Sequence, residues 1–520
     1  MLTCTALACI GIVLSMDVDI SLGHWFSARA ARTPKRRALT FEGQTWSYQE
    51  MLHRIDCLAT NLRHGGVCHG DRVGFLGLNQ PAFFETMFAA SRLGAIFVPL
   101  NFRLTGPELT FIIGDAGIHT LVTDNAHMGV IDSIRADIPV HRTLGVDRAD
   151  GWEPLYAETE PLAQGEPVDA DEVALIMYTS GTTGLPKGAM LTHANLWWNN
   201  TNALHQMDVV EDDVTLVVAP LFHIGGLNVT TLVTWQKGGE VVLHRTFDPA
   251  TCLNDIAKYG VTTMFGVPAM FLFMSQLPGF NDADLTSMRT LVCGGAPVPE
   301  PLIKLYNGRG IPINQGYGLT ETAPMVSFLG PEHSLEKVGS AGKAPLFSEI
   351  RIVDEQNLPI ALAQVNGEVC TRGPNVMKGY WQRPDATAAA IDAEGWFHTG
   401  DVGYIDEDGF LYIADRVKDM VITGGENVYP AEVESVLHEH PDIADVAVIG
   451  LPDERWGEVV VAVIVAQDGS AITLEGVRSF ATERLARYKL PTHVEVIDEL
   501  PRNPAGKVLK FELRARFSRS

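Results

Sequence analysis

The sequence predicts an α/β fold. A large N-terminal domain of parallel and mixed sheets, flanked by helices and carrying a small barrel-like β module, is followed by a small α+β C-terminal domain. Three observations predict this. The chain has 520 residues, too many for one ordinary core. Strand and helix patterns alternate along most of it, the rhythm of parallel sheets covered by helices. Beyond Tyr412 the texture changes to a charged stretch and then a short α+β pattern of ordinary domain size.

The elements follow in order. Tyr48 to Leu62 has helical spacing of apolar residues, Asp71–Gly77 reads as a strand leaving a turn, and Pro81 to Leu93 as a helix. Ala95–Leu100 and Thr120–Thr123 read as strands, with a helix around Pro107–Asp115 between them. The acidic, Pro- and Gly-containing run from Asp147 to Asp171 reads as a surface connection. Val173–Tyr178 is a buried strand. The rhythm then repeats: strand Val214–Ala219, helix Gly226–Gln236, strand Glu240–His244, helix Pro249–Tyr259, strands Thr262–Gly266 and Thr290–Cys293. From Ile350 to Tyr412 the strands are short and turn-separated, as in an antiparallel module. Asp415–Lys418 reads as a linker, dividing a domain over residues 16–415 from one over 416–520. Helix Pro430–His440, strands Asp445–Gly450 and Val459–Ala466 and helix Leu474–Leu485 build the second domain.

Composition excludes several classes. Formal charge is −24, from 39 basic and 63 acidic residues, which argues against nonspecific binding of nucleic acid or anionic membrane. The seven cysteines are scattered and form no Cys-x-x-Cys pair, as expected of a reducing cytoplasm without a structural zinc. Residues 1–15 contain a short apolar run without preceding Lys or Arg. They read as a disordered or spurious extension, with an amphipathic membrane anchor as the alternative.

The chemistry concentrates in a few motifs. Thr179, Ser180, Gly181, Thr182, Thr183, Gly184, then Lys187 and Gly188, follow the strand that ends at Tyr178. Glycines let backbone N–H groups approach an anion, and hydroxyls and a lysine add donors, so this reads as a polyphosphate cradle. It is not the common P-loop, because no Gly-Lys-Ser/Thr ends it. Pro220–Gly226 puts His223 where a strand feeds a helix, suited to a pocket wall. Gly294, Gly295, Ala296 and Pro297 follow another strand and offer a flat platform at the sheet's carboxyl edge. In Gln315-Gly316-Tyr317-Gly318-Leu319-Thr320-Glu321 an aromatic can stack on a base, Thr320 can donate to a phosphate, and Glu321 is a hard oxygen ligand for Mg²⁺. Asp401, in a Gly-bracketed turn, can accept both hydroxyls of a ribose. Gly424-Gly425-Glu426 leads into a helix at Pro430, and Lys507 stands on a turn near the C-terminus. Each motif alone has an ordinary reading as a turn, a helix start or a solvated side chain.

Together and in this order they resemble the adenylate-forming superfamily of acyl-CoA synthetases, firefly-type luciferases and peptide-synthetase adenylation domains. The resemblance runs from about residue 20 to about residue 515. It implies a two-step reaction in which a carboxylate attacks the α-phosphate of ATP, giving acyl-adenylate and pyrophosphate, and a thiol then displaces AMP. By the resemblance Lys507 bridges the carboxylate and the α-phosphate, while Thr320 and the 179–188 loop hold phosphates. Glu321 holds Mg²⁺, Asp401 binds ribose with Arg416 nearby, and Gln315–Gly318 with Gly295–Pro297 hold adenine. Lys418 is the hinge, and rotation about it brings Gly424, Gly425 and Glu426 to the site for coenzyme A. The acyl pocket is expected to be walled by His223, Gly226, Asn228, Trp235, Val267, Gly318 and Met325.

The segment Phe222–Leu227 has no acid to pair an α-ammonium, and no carrier domain accompanies these motifs, which favours a CoA ligase over a peptide-synthetase domain. Gly424–Pro430 with Arg487–Pro491 most resembles bacterial fatty-acyl-CoA synthetases, so a fatty or other apolar acid is expected. An aryl-acid ligase, or a fatty-acyl-AMP ligase loading a carrier protein, is the alternative. A luciferase or a non-catalytic acyl-adenylate binder is the competing class. The partners implied are the acid, ATP and CoA, without nucleic acid. A lipid substrate could bring the enzyme to a membrane surface, and a homodimer is a common default.

Overall fold

Two eight-stranded sheets form the large part of the chain, each parallel inside and antiparallel at an edge. One runs in the order Met325–Leu329, Ile313–Gly318, Thr290–Gly294, Thr263–Gly266, Val214–Val217, Glu240–Leu243, Arg37–Phe41, Gln44–Ser47. The other runs Gly379–Tyr380, Lys187–Thr192, Val173–Thr179, Ile96–Leu100, Arg72–Leu76, Ile118–Thr123, Arg142–Gly145, Glu153–Pro154. Strands covered by helices on both faces are apolar throughout rather than alternating. Ile96–Leu100 is buried at every position. The computed structural model describes residues 18–147, 152–157, 159–179, 185–295, 298–354, 356–416, 421–428, 430–467, 469–501, 508 and 510–518.

Helices Leu22–Arg32, Tyr48–His64, Pro81–Arg92 and Thr231–Lys237 meet in one aromatic nest. Phe26, Phe84 and Phe88 surround Trp235, with ring centroids 4.5 to 5.8 Å away. Trp235 Nε1 donates to the Ala38 carbonyl at 2.7 Å, which satisfies its one polar atom in a dry core. A third sheet is antiparallel, in the order Glu349–Val353, Gly367–Arg372, Phe397–Ile405, Leu411–Arg416. A fourth joins Glu426–Val428, Val421–Thr423, Gly457–Ala466 and Ile443–Asp453, with His493–Val496 paired in parallel to Gly457–Ala466. Helices Pro430–Leu437, Leu474–Thr482 and Lys510–Phe517 accompany it. Among the described residues no helix is long and apolar enough to cross a membrane.

The structure departs from the sequence reading at identifiable places. The helix expected over Gly226–Gln236 is two helices, Ile224–Asn228 and Thr231–Lys237. Side chains take the carbonyls a continuous helix would use: Thr231 Oγ1 donates to Gly226 O at 2.7 Å and Asn199 Nδ2 to Asn228 O at 2.9 Å. Asp415 and Arg416 do not form a linker. They end the strand Leu411–Arg416, opposite Val402 and Asp401. Lys418 lies outside the described residues. The connection from Asp147 to Asp171 is anchored, because Leu155 and Leu162 are buried in the main core.

Candidate active site

The parallel strands of the first sheet end at a single cavity of about 210 Å³. Its wall takes residues just past the carboxyl ends of Val214–Val217, Thr263–Gly266 and Thr290–Gly294, together with Gly316–Thr320. This is where ligands of open α/β sheets sit. Phe265, Val267, Met270, Val292, Met325 and Phe328 make the lining largely apolar. Glycines let the backbone crowd together here. A Cβ on Gly226 would stand 2.3 Å from the Pro220 carbonyl oxygen, and one on Gly318 would stand 1.7 Å from that of Pro324.

Beside the cavity, Val173–Thr179 and Lys187–Thr192 form an antiparallel hairpin with Thr179 opposite Lys187. Ser180, Gly181, Thr182, Thr183 and Gly184 lie outside the described residues, as do Ala296, Pro297 and Lys507. Lys187 Nζ stands 5.4 Å from the centre of the Tyr380 ring. Tyr380 reaches this corner because Gly379–Tyr380 pairs with the far edge of the same hairpin. Its hydroxyl donates to Glu321 Oε1 at 2.8 Å, and Thr179 Oγ1 donates to the same oxygen at 3.4 Å. Burial pushes the Glu321 carboxyl above the usual range. The bonds from its own backbone N–H, Tyr380 and Thr179, and the charge of Lys187, offset this only in part.

On another side, the Tyr317 hydroxyl donates to Asp401 Oδ2 at 2.7 Å. Asp401 is not in a turn: it lies within the nine-residue strand Phe397–Ile405 and is buried. That strand pairs Asp401 with Arg416, so the expected neighbour is adjacent in register. Gln315 is buried in Ile313–Gly318, and Gly295 lines the cavity.

The cavity's mouth is closed by the fourth sheet. Gly424 and Gly425 do not lead directly into a helix. They turn a hairpin between Val421–Thr423 and Glu426–Val428, with φ of +57° and +82°. Two successive positive φ values are the demand of the tightest hairpin turns, and glycine meets it without steric cost. A Cβ on Gly425 would stand 3.2 Å from Val267, so the turn rests on the pocket wall. Glu426 then meets His223, whose Nε2 donates to Oε2 at 3.0 Å, and Arg103 donates to the other oxygen. Burial raises the Glu426 carboxyl, but His223 and Arg103 outweigh it and hold it below the usual range.

Two expected pocket walls are corrected. Trp235 belongs to the aromatic nest and is fully buried there. Asn228 is buried behind the pocket, its Nδ2 donating to the Ala323 carbonyl at 2.6 Å. His223, Gly226, Val267, Gly318 and Met325 do line the cavity.

The model of the AMP-binding enzyme family matches residues 26–381, and that of the AMP-binding enzyme C-terminal domain matches residues 432–507. The chain belongs to the AMP-binding enzyme family. Its relatives include a feruloyl-CoA synthase of Amycolatopsis, 46% identical across 95% of this chain and 99% of that one. Another is the long-chain-fatty-acid–CoA ligase FadD13 of Mycobacterium tuberculosis, 38% identical across 96% and 99%. Among solved structures, the o-succinylbenzoate CoA synthetase of Bacillus subtilis is 36% identical, and two of its structures, the first a double mutant, fit differently. Bound to the product analogue OSB-NCoA it superposes with a TM-score of 0.86 over 95% of this chain and 98% of that one. Bound to the acyl-adenylate it gives 0.70 over 94% and 97%. The chain is accordingly an acid–thiol ligase of the AMP-forming class.

Two residues at these corners escaped the sequence reading. Arg103 lies 323 positions from Glu426, and nothing around Asn101–Leu104 signals a partner. Tyr380 follows a glycine in a short polar-aromatic run that reads as a turn. Only the pairing of its strand with the hairpin brings it to Glu321.

Proposed function

We propose that this AMP-binding enzyme activates an aryl-bearing carboxylic acid as its adenylate and transfers the acyl group to coenzyme A. The cavity carries this reading. An apolar cavity of 150 Å³ holds benzene, and one of about 210 Å³ that is shared with Gly295 and Tyr317 leaves an acid room for no more than a ring with a short arm. Arg103, His223 and Glu426 line the cavity together with Phe265, Val292 and Phe328. A long alkyl chain would have to leave this volume. The feruloyl-CoA synthase relative supports the same order of preference, which reverses the sequence-based preference for fatty acids.

In this reading the two half-reactions use different walls. For adenylation, the Thr179–Gly188 loop, Lys187 and Thr320 hold the phosphates of ATP, Asp401 holds the ribose, and Tyr317 with Gly295 packs on adenine. Lys507 brings the carboxylate and α-phosphate together by neutralising both. A magnesium ion suits the Glu321 corner, where a buried carboxylate and the Thr179 hydroxyl offer hard oxygens and burial disfavours the uncompensated charge. Bound there, it would neutralise phosphate oxygens. For thioester formation, the Gly424–Gly425 turn and Glu426 stand at the mouth, with His223 oriented by Glu426 beside the path of an incoming thiol. The closer superposition on the product-analogue complex supports reading the described arrangement as the one for this second step.

A panel running from acetate through benzoate, cinnamate and indoleacetate to palmitate, scored by CoA-dependent AMP release, tests the proposal. Aryl acids with short arms should give the highest kcat/KM. A maximum at long alkyl chains would overturn the substrate assignment, and release of AMP without CoA consumption would overturn the acceptor.

A further inference from the structure

A run of hydrogen bonds joins one short segment, residues 101–108, to the C-terminal module. Asn101 Nδ2 donates to the Tyr488 hydroxyl at 3.3 Å, and Thr105 Oγ1 lies 3.2 Å from the Arg484 carbonyl oxygen. At the end of the segment Lys489 Nζ donates to Glu108 Oε1 at 2.8 Å and to Glu432 Oε1 at 2.7 Å. Lys489 is only 3% exposed, and both carboxylates are nearly covered. A buried ammonium holds its charge only with such partners.

The three groups do not belong to one body. Lys489 and Glu432, on helix Pro430–Leu437, lie in the module and travel together. Glu108 lies at the start of helix Gly106–Ala116 in the large part. Its second oxygen, Oε2, accepts from the backbone N–H and the hydroxyl of Thr105, each at 2.8 Å. This capping box fixes the Glu108 side chain, so its free oxygen is already aimed when Lys489 arrives. A rotation of the module would keep the Lys489–Glu432 pair and break the bond to Glu108.

We propose that Glu108 is a positioning residue for thioester formation: through Lys489 it holds the module in the orientation that sets Gly425 and Glu426 on the cavity mouth. This rests on the reading of that orientation given above. The bond exists in one orientation alone, so it favours the second half-reaction and adds nothing to the first. Lys489 bonds Glu432 within the module and Glu108 outside it, so the bond to Glu108 is the one that opening loses.

The test is Glu108→Gln. Glutamine serves as well as glutamate at this capping position, so the helix start survives while the charge facing Lys489 is removed. Thioester formation from supplied acyl-adenylate and CoA should fall about tenfold or more, the scale of losing a hydrogen bond between charged groups. Acid-dependent pyrophosphate release should be unchanged or faster. A fluorophore pair, one on each module of the whole chain, should shift toward longer or broader distances. Equal loss in both half-reactions would mean a structural role and would overturn the proposal, as would an unaltered distance distribution with unaltered thioester rate. If the unmutated chain makes adenylate but no thioester, the parent reading of the site fails. The distance measurement then still decides whether Glu108 holds the module.

Discussion

Replacing Glu321 with glutamine should make the protein more stable and the enzyme inactive. The carboxylate is buried and accepts from Tyr380 and Thr179 at one oxygen, with Lys187 as the nearby cation. Glutamine keeps an acceptor for both hydroxyls and has the same shape, so only the charge is removed. Relief of such a functional-site burden is commonly worth about 1 kcal/mol, or of order 1–2 °C in Tm for a protein of this size. The pH dependence has a definite sign. A carboxyl whose folded pKa lies above its unfolded value binds its proton more tightly when folded. Wild-type stability therefore falls as pH rises from the unfolded value, 4.5, through the higher folded one. The variant does not titrate, so its advantage should be full at pH 8 and shrink as pH approaches 5. Differential scanning calorimetry of the nucleotide-free protein across that range measures it. Acid-dependent pyrophosphate release, titrated with magnesium, measures the activity. A variant less stable than wild type at pH 8 would refute the account of burial, and one with wild-type magnesium dependence would refute the metal assignment.

Trp235→Ala should cost about 3–5 kcal/mol of stability, the usual toll for emptying a large buried aromatic, while leaving the ratio of kcat/KM values among acids unchanged. A changed acid preference would return Trp235 to the pocket. Lys507→Ala should abolish adenylate formation and leave thioester formation from supplied acyl-adenylate largely intact, and equal loss of both would remove Lys507 from its assigned role.

Local pattern located most elements because local physics builds them. Helix Pro249–Tyr259 was bounded correctly from its proline start and the glycine that follows. The failures are long-range. Trp235 has the spacing and apolar company of a pocket wall, and only the packing of three other helices shows that it faces away from ligand. Asp401 looks like a turn residue between glycines. The partner strand that draws it into a sheet ends at Arg416, a residue that local charge assigns to a linker. Gly424-Gly425 was legible as a site of special backbone. Whether it opens a helix or turns a hairpin depends on Val421–Thr423 pairing with Glu426–Val428. Glu108 and Lys489 are 381 positions apart, and each in its own sequence context is an ordinary capping residue or surface lysine.

Two buried glutamates, Glu426 on the cavity wall and Glu321 next to the wall residue Thr320, differ in what surrounds them. Burial opposes the charge of both, and what surrounds them decides the outcome. Glu321 has hydroxyls and one lysine to offset burial, and its carboxyl remains raised, so its charge is still short of compensation. Glu426 has Arg103 and His223 within bonding distance, and its carboxyl is held down as a completed ion pair. An incompletely compensated carboxylate favours the arrival of a cation with its phosphates, which suits the step that must bring two anions together. This completed cluster has no further charge to accept, and two of its three members, Arg103 and His223, lie on the large part of the chain. In the proposed cycle it would act as a fastening whose strength depends on where the module stands. The acidic surface at large does not oppose this, because both carboxylates are buried, where short distances and low polarity outweigh the screened field of a net −24.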